Sequence, residues 1–243
     1  MLTEAHITEA QKLQFREQGY FIVPQLADAS MIDPLRASID QYVEKNEAEM
    51  KRHNQTEGMS RANEISFTVH LAEQNSTIMN FVLRDDMLQV GTALIAPELC
   101  LYWDQAVYKQ PEARRDFPWH QDNGYGGVEP QEYLTCWLAL DDATISNGCI
   151  WVIPGSHKQG VLKHEDTPIG KQVYFGTDQG TPVELKKGGI VFFSSLLFHR
   201  SGPNVSDTVR KAYIVQYAPT TVRDSVSGQP LNRRVVTHAG QHA

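Results

Sequence analysis

A chain of 243 residues, 41% hydrophobic and 21% charged, has the make-up of one globular domain with a sizeable core. Its formal net charge of -7, with the basic residues scattered as isolated pairs such as Lys51-Arg52, Arg114-Arg115 and Lys186-Lys187, disfavours nucleic acid as a partner. The longest apolar run is too short to cross a bilayer, and Met1-Leu2-Thr3-Glu4-Ala5-His6 lacks the basic and apolar segments of a secretory signal, so a cytoplasmic protein with no membrane partner is expected.

Residues 8–18 read as a helix, with Thr8 as its cap and Gly19 as its stop. Tyr20-Phe21-Ile22-Val23 is a short apolar strand. Ile32, Leu35, Ile39 and Tyr42/Val43 then recur at helical spacing, with Asp33 as cap and Pro34 in the first turn. The polar stretch 44–60 has the composition of a mobile loop and suits an active-site lid. Helices are expected near 74–83 and 86–95, ahead of Pro97. From Leu99 the character changes. Short β-rich segments at 99–109, 133–140, 149–153, 183–185, 189–195 and 210–217 alternate with Gly, Pro, Asn and Asp turns. This predicts a mainly β fold with flanking α-helices: a double-stranded β-helix (jelly-roll, cupin-like) core with N-terminal helices packed outside it. No linker divides the chain, so 1–243 reads as a single domain with a polar, frayed tail from about 222. Cys100, Cys136 and Cys149 sit in apolar surroundings. Their odd number predicts buried free thiols in a reducing compartment.

The chemistry concentrates in Trp119-His120-Gln121-Asp122 and a distant His199. Side chains alternate along a strand, so residues 120 and 122 point the same way. Two histidines and a carboxylate can occupy one face of an Fe(II) ion and leave the other open. His199 ends the apolar run 189–198, which reads as a buried strand delivering its last residue to a site. Arg210, eleven residues on, opens the next strand with the cation that a dicarboxylate cosubstrate needs. Imidazole suits several metals, so a zinc-dependent hydrolase stays open, although zinc gives no reason for Arg210. The other histidines read as bland. His157, in Pro154-Gly155-Ser156-His157, is a turn residue, His70 is a satisfied edge histidine, and His238 and His242 belong to the tail.

These residues also carry a family resemblance. The chain resembles the phytanoyl-CoA dioxygenase family, within the Fe(II)/2-oxoglutarate-dependent oxygenases. The matching pieces are Gln18-Gly19-Tyr20-Phe21-Ile22-Val23, His120-Gln121-Asp122, Thr135-Cys136-Trp137-Leu138-Ala139-Leu140, Asn147-Gly148-Cys149, Pro154-Gly155-Ser156-His157-Lys158, and His199-Arg200-Ser201-Gly202 with Arg210. They run in family order from near residue 10 to near residue 217.

The resemblance implies Fe(II) held by His120, Asp122 and His199, and 2-oxoglutarate as cosubstrate with its far carboxylate clamped by Arg210. It implies that hydroxyls at Ser201 and Thr135 help hold the cosubstrate tail and that Gln105 faces the pocket. Each of these three reads equally as a local turn or strand residue. Trp137 is expected as a pocket wall, with core packing as its competitor, and Tyr108, Lys109 and Trp119 as further pocket residues. The implied reaction consumes O2 and hydroxylates an unactivated C–H bond, releasing succinate and CO2. Halogenating members of the superfamily lack the carboxylate ligand, so Asp122 argues for oxygen chemistry. An acyl-CoA usually meets a basic mouth, which this acidic chain lacks, so the expected substrate is a small metabolite. A metal-binding jelly-roll that acts as a sensor, without turnover, is the other alternative.

Overall fold

A computed structural model describes residues 7–111, 113–238 and 241–242. Met1 to His6, and positions 239, 240 and 243 of the tail, lie outside the described residues. Helix α1 (Glu9–Gln18) begins at a capping box. The Thr8 side chain accepts from the Gln11 N–H, and the Gln11 side chain accepts from the Thr8 N–H. It ends at Gly19, whose φ of 84° favours glycine and whose added Cβ would fall 2.5 Å from His157. Strand β1 (Tyr20–Val23) follows.

Helix α2 (Ala29–Arg52) differs from expectation at both ends. Its cap is Asp28, which accepts from the Met31 N–H, and Pro34 lies inside the helix rather than in its first turn. It also runs through residues 44–52, which composition assigns to a loop. The buried stripe Ile32, Leu35, Ile39 and Val43 continues as Glu47 and Met50, so the helix has a packed face where its sequence reads as polar. The connecting segment shrinks to residues 53–64, followed by an unanticipated strand β2 (Ile65–Val69). Helices α3 (Ser76–Val82) and α4 (Asp85–Leu94) fall where two helices are expected.

The rest is antiparallel β structure: β3 (Leu99–Lys109), β4 (Phe117–His120), β5 (Val128–Glu129), β6 (Leu134–Ala139), β7 (Ile150–Val152), β8 (Glu165–Thr167), β9 (Gly170–Gln172), β10 (Thr181–Val183), β11 (Ile190–Ser194), β12 (His199–Ser201), β13 (Arg210–Pro219), β14 (Arg223–Asp224) and β15 (Arg234–Val235). The larger sheet runs β1-β11-β6-β13-β3-β15, with β2 also on β3. The smaller runs β10-β7-β12-β4.

Alternation gives the larger sheet two buried faces. Val107, Trp137, Val191, Phe193 and Ile214 point inward and pack with Phe117, Ile150, Val152 and Val183 of the smaller sheet. Their neighbours Tyr108, Cys136, Leu138, Phe192, Tyr213 and Val215 point outward and pack with Leu35, Ile39, Val82 and Leu88 of the helices. The architecture is the jelly-roll with outer helices that the element pattern anticipates. The three cysteines are buried and free. Among the described residues no helix is long and apolar enough to cross a membrane.

Two further expectations are corrected. The apolar run 189–198 is not one strand. Strand β11 ends at Ser194, the chain turns, and His199 opens β12 in the other sheet. Leu196, Leu197 and Phe198 are buried in the crossover, so burial hides the change of sheet. Through Thr237 the tail is docked rather than frayed. Strand β14 pairs with β5 and β15 with β3, Val236 is buried, and Thr237 Oγ1 accepts from the Leu99 N–H at 2.9 Å.

Candidate metal centre

Strands β4 and β12 are neighbours in the smaller sheet, and their register sets His120 opposite His199, with ring centroids 4.0 Å apart. Asp122 lies just past β4 rather than within it, opening a single 3₁₀ turn. Gln121 remains extended (φ -107°, ψ 141°), so the alternation that aligns 120 with 122 survives the end of the strand. Asp122 Oδ1 lies 3.4 Å from His199 Nε2 and 3.8 Å from His120 Nε2. The three ligand atoms all fall within 4.8 Å of one another.

The surroundings fix which atoms are free. His120 Nδ1 is 2.8 Å from the Pro118 carbonyl, and His199 Nδ1 is 3.0 Å from the Leu197 carbonyl. A carbonyl only accepts, so each Nδ1 carries the proton and each Nε2 presents a lone pair to the common point. Asp122 Oδ2 accepts from the Thr135 hydroxyl at 2.6 Å and the Gln216 amide at 3.0 Å, which leaves Oδ1 facing the two imidazoles. Burial, reinforced by His199, holds the His120 imidazole down to about 3. Burial opposes ionisation of Asp122, but His199, His120 and the Thr135 hydroxyl outweigh it and bring the carboxyl to about 2. At neutral pH the centre therefore offers a neutral imidazole and an ionised carboxylate, the states a divalent cation requires. These residues fit a divalent metal of the iron or zinc type.

Gln121, between the ligands, is fully buried and ties three segments together. Its side chain donates to the Gly160 and Leu196 carbonyls and accepts from the Leu162 N–H. Its own N–H donates to His164 Nε2 at 2.9 Å.

Two cavities meet at this centre. The inner one, about 60 Å³, is lined by His120, Asp122, His199, Ser201, Arg210 and Trp137 among others. The outer one, about 180 Å³, is lined mainly by Phe67, Tyr102, Trp103, Tyr125 and Tyr133, with Met59 and Gln216. Phe67, Gln105, Phe117, His120 and Asp122 border both. Arg210 is 1% exposed, and burial brings its guanidinium down to about 10, so it stays charged at neutral pH. One of its nitrogens donates to the Val107 carbonyl at 3.0 Å, its Cζ lies 5.4 Å from the Trp137 ring centroid, and its Nε has no partner among the described residues. Such an orphaned, buried, permanently charged group is the signature of a site for an anion.

The model of the family described as phytanoyl-CoA dioxygenase (PhyH) matches residues 15–212. The chain belongs to this family. A phytanoyl-CoA dioxygenase of Arabidopsis thaliana is 33% identical over 118 residues, covering 44% of this chain and 40% of that protein. The peroxisomal phytanoyl-CoA dioxygenase of Rattus norvegicus is 24% identical over 230 residues, covering 85% of this chain and 67% of that one. The chain thus spans about two fifths of the length of the Arabidopsis relative. Among solved structures, the non-heme alpha ketoglutarate dependent carbocyclase SnoK from nogalamycin biosynthesis superposes with a TM-score of 0.78 at 20% identity, covering 97% of this chain and 98% of that one. EvdO2 from Micromonospora carbonacea var. aurantiaca, complexed with 2-oxoglutarate, gives 0.71 at 21% identity, covering 95% and 98%. These two share the fold.

Set against the family pattern, the residues singled out in the sequence separate into two groups. His120, Asp122, His199, Ser201, Thr135, Gln105, Trp137 and Arg210 all border the inner cavity. Thr135, however, spends its hydroxyl on Asp122 rather than on a cosubstrate tail, and Gln105 Oε1 accepts from Trp103 Nε1 at 3.2 Å. Three pocket assignments are corrected. Tyr108 points to the helices, where its hydroxyl donates to Asp40 Oδ1 at 2.6 Å. It neighbours the inward-facing Val107, so alternation turns it away. Trp119 precedes His120 and for the same reason faces outward, against Tyr174 and under the Arg200 guanidinium. Lys109 is buried behind Ser201 rather than lining either cavity. Gln216, Gln121 and His164 escape sequence reading. Gln216 had one available signal, its even spacing from Arg210 along β13, which places both on the inner face.

Proposed function

We propose that the protein is an Fe(II)- and 2-oxoglutarate-dependent dioxygenase that hydroxylates an unactivated C–H bond of a small-molecule metabolite, releasing succinate and CO2. One observation carries this reading: the two-histidine, one-carboxylate centre shares its cavity with Arg210, whose buried charge has no anionic partner among the described residues. A hydrolase would have use for the first feature and none for the second.

His120 Nε2, His199 Nε2 and Asp122 Oδ1 would hold the iron. Bound iron would supply activation of O2, coupled to decarboxylation of the cosubstrate. The chain does the rest. Carbonyls of Pro118 and Leu197 keep the imidazoles in the ligating tautomer, and Thr135 and Gln216 fix the free oxygen of Asp122 toward them. Arg210 would fork onto the far carboxylate of 2-oxoglutarate, orienting the keto-acid end toward the iron ligands. Apolar walls at Ile65, Val107, Ile150 and Ile214 keep the inner cavity dry.

The outer cavity supports a small, largely apolar or aromatic substrate. Its walls are mainly aromatic, and no Lys or Arg lines it. The phosphates of an acyl-CoA would find no cation among those side chains.

The test is a succinate-release screen across substrate classes, with Fe(II), 2-oxoglutarate and 18O2. One 18O should enter succinate and, on hydroxylation, another the product. Substrate conversion that persists under strict anaerobiosis with Zn(II) would identify a hydrolase instead.

A further inference from the structure

Lys109 is a second buried cation beside Arg210. The two stand directly opposite each other in the β3–β13 register, and they are 2% and 1% exposed. Like charges opposed across an antiparallel pair repel, and burial amplifies the cost. The surrounding charges make it worse. Arg210 on β13, Arg61 ahead of β2 and Arg200 on β12 face Lys109 as cations. The one carboxylate in reach, Asp116 ahead of β4, is already paired with Arg200 at 3.0 Å. Among the described residues neither Lys109 nor Arg210 has a carboxylate partner. The Lys109 ammonium instead donates to Ser201 Oγ at 3.3 Å and to the Gly202 carbonyl. That first bond occupies a lone pair of Ser201 and leaves the hydroxyl proton available to the inner cavity, which Ser201 and Arg210 both line.

We propose that Lys109 is a positioning residue of the cosubstrate pocket, orienting the Ser201 hydroxyl toward the far carboxylate that Arg210 binds and adding a second positive charge behind it. The inference rests on the 2-oxoglutarate reading above. It makes cosubstrate binding a proton-coupled event. Burial, and then Arg210, bring the Lys109 ammonium down to about 7 in the empty pocket. An incoming anion favours the ammonium. Binding therefore takes up a proton when the pH is above about 7, and affinity falls as pH rises through that value.

The experiment is anaerobic calorimetry of the Fe(II)-loaded protein with 2-oxoglutarate at pH 8, in two buffers of different ionisation enthalpy. The unmodified protein should take up roughly one proton per 2-oxoglutarate, and Lys109→Met should take up none and bind ~10-fold more weakly at pH 7. Lys109→Gln keeps a donor to Ser201 but not the charge, so it should recover part of the affinity and none of the proton uptake. 2-Oxopentanoate, which keeps the iron-chelating end and lacks the far carboxylate, should bind the unmodified protein and Lys109→Met alike. Absence of proton uptake in the unmodified protein, or unchanged 2-oxoglutarate affinity in both variants, overturns the proposal while leaving the cosubstrate reading intact. Failure of the unmodified Fe(II) protein to bind 2-oxoglutarate, or no weakening in Arg210→Ala, removes both.

Discussion

The two faces of the larger sheet arrange their buried polar groups differently. On the helix side the tyrosine hydroxyls are closed within the chain, while Glu47 Oε2 and Ser66 Oγ are scattered, buried and without a partner among the described residues. The Tyr108 hydroxyl donates to Asp40, the Tyr213 hydroxyl to Asp104, and the Tyr217 hydroxyl to the Val82 carbonyl. Asp104 also accepts from the N–H groups of Leu71 and Ala72 at 2.8 and 3.0 Å. On the inner side the open groups gather around the candidate metal centre. Among the described residues Arg210 Nε has no partner, Asp122 Oδ1 faces two imidazole lone pairs, and Lys109 stands against Arg210 with no carboxylate of its own. Residues on both faces are buried, so burial does not distinguish scaffold from site. Convergence does: isolated orphans lie among the packed helices, whereas two imidazoles, a carboxylate and Arg210 border a single cavity.

Six substitutions at five positions would break or sharpen this contrast. The largest effect belongs to the metal ligands. His120→Ala and His199→Ala should each abolish iron-dependent turnover and stoichiometric iron binding, while circular dichroism shows the fold intact. Tight iron binding retained in either variant would break the inner-face assignment. Next comes Arg210→Ala, which should raise the apparent KM for 2-oxoglutarate by ~30- to 1000-fold, the worth of a buried bidentate contact of ~2–4 kcal/mol. Arg210→Lys should restore part of that, because an ammonium cannot present the planar fork.

A smaller effect should follow at Gln216. Gln216→Leu removes one of the two donors that aim Asp122, and iron affinity should drop by ~10- to 100-fold with the ligands untouched. An unchanged affinity would mean that Thr135 alone suffices. The smallest effect tests the closed face. Tyr213→Phe takes one donor from Asp104 and should cost about 1 kcal/mol in urea unfolding, leaving the 2-oxoglutarate KM unchanged. A shift in that KM would show that the two faces are coupled.

The site was more legible than the framework around it. The proposed iron ligands and Arg210 belong to short motifs whose geometry is local: one extended residue, Gln121, suffices to align His120 with Asp122 whether or not a strand continues. Lys109 fails although it is in phase, because it lies behind Ser201; the other two fail because their direction depends on phase. Tyr108 and Trp119 are aromatic, close to the motifs and plausible as pocket walls, yet each is one position out of step with an inward-facing neighbour. Polar-looking segments misled in a different way. Residues 44–52 read as a loop because one helical face alone is buried, and Glu47 on that face is held by Gln110 at 3.1 Å.

By itself the sequence determined the class of fold, the donor set and the cation behind it. Strand alternation, turn residues and ligand chemistry are properties of a few neighbouring positions. The tertiary structure alone decided that run 189–198 changes sheets, so that His199 arrives opposite His120 from a separate short strand. It alone set Gln216 and Thr135 onto one oxygen of Asp122, docked the tail on β3, and faced Lys109 with Arg210. These depend on which strands become neighbours and in what register. Pairing partners far apart in the chain are chosen by the packing of the whole core, which no local pattern encodes.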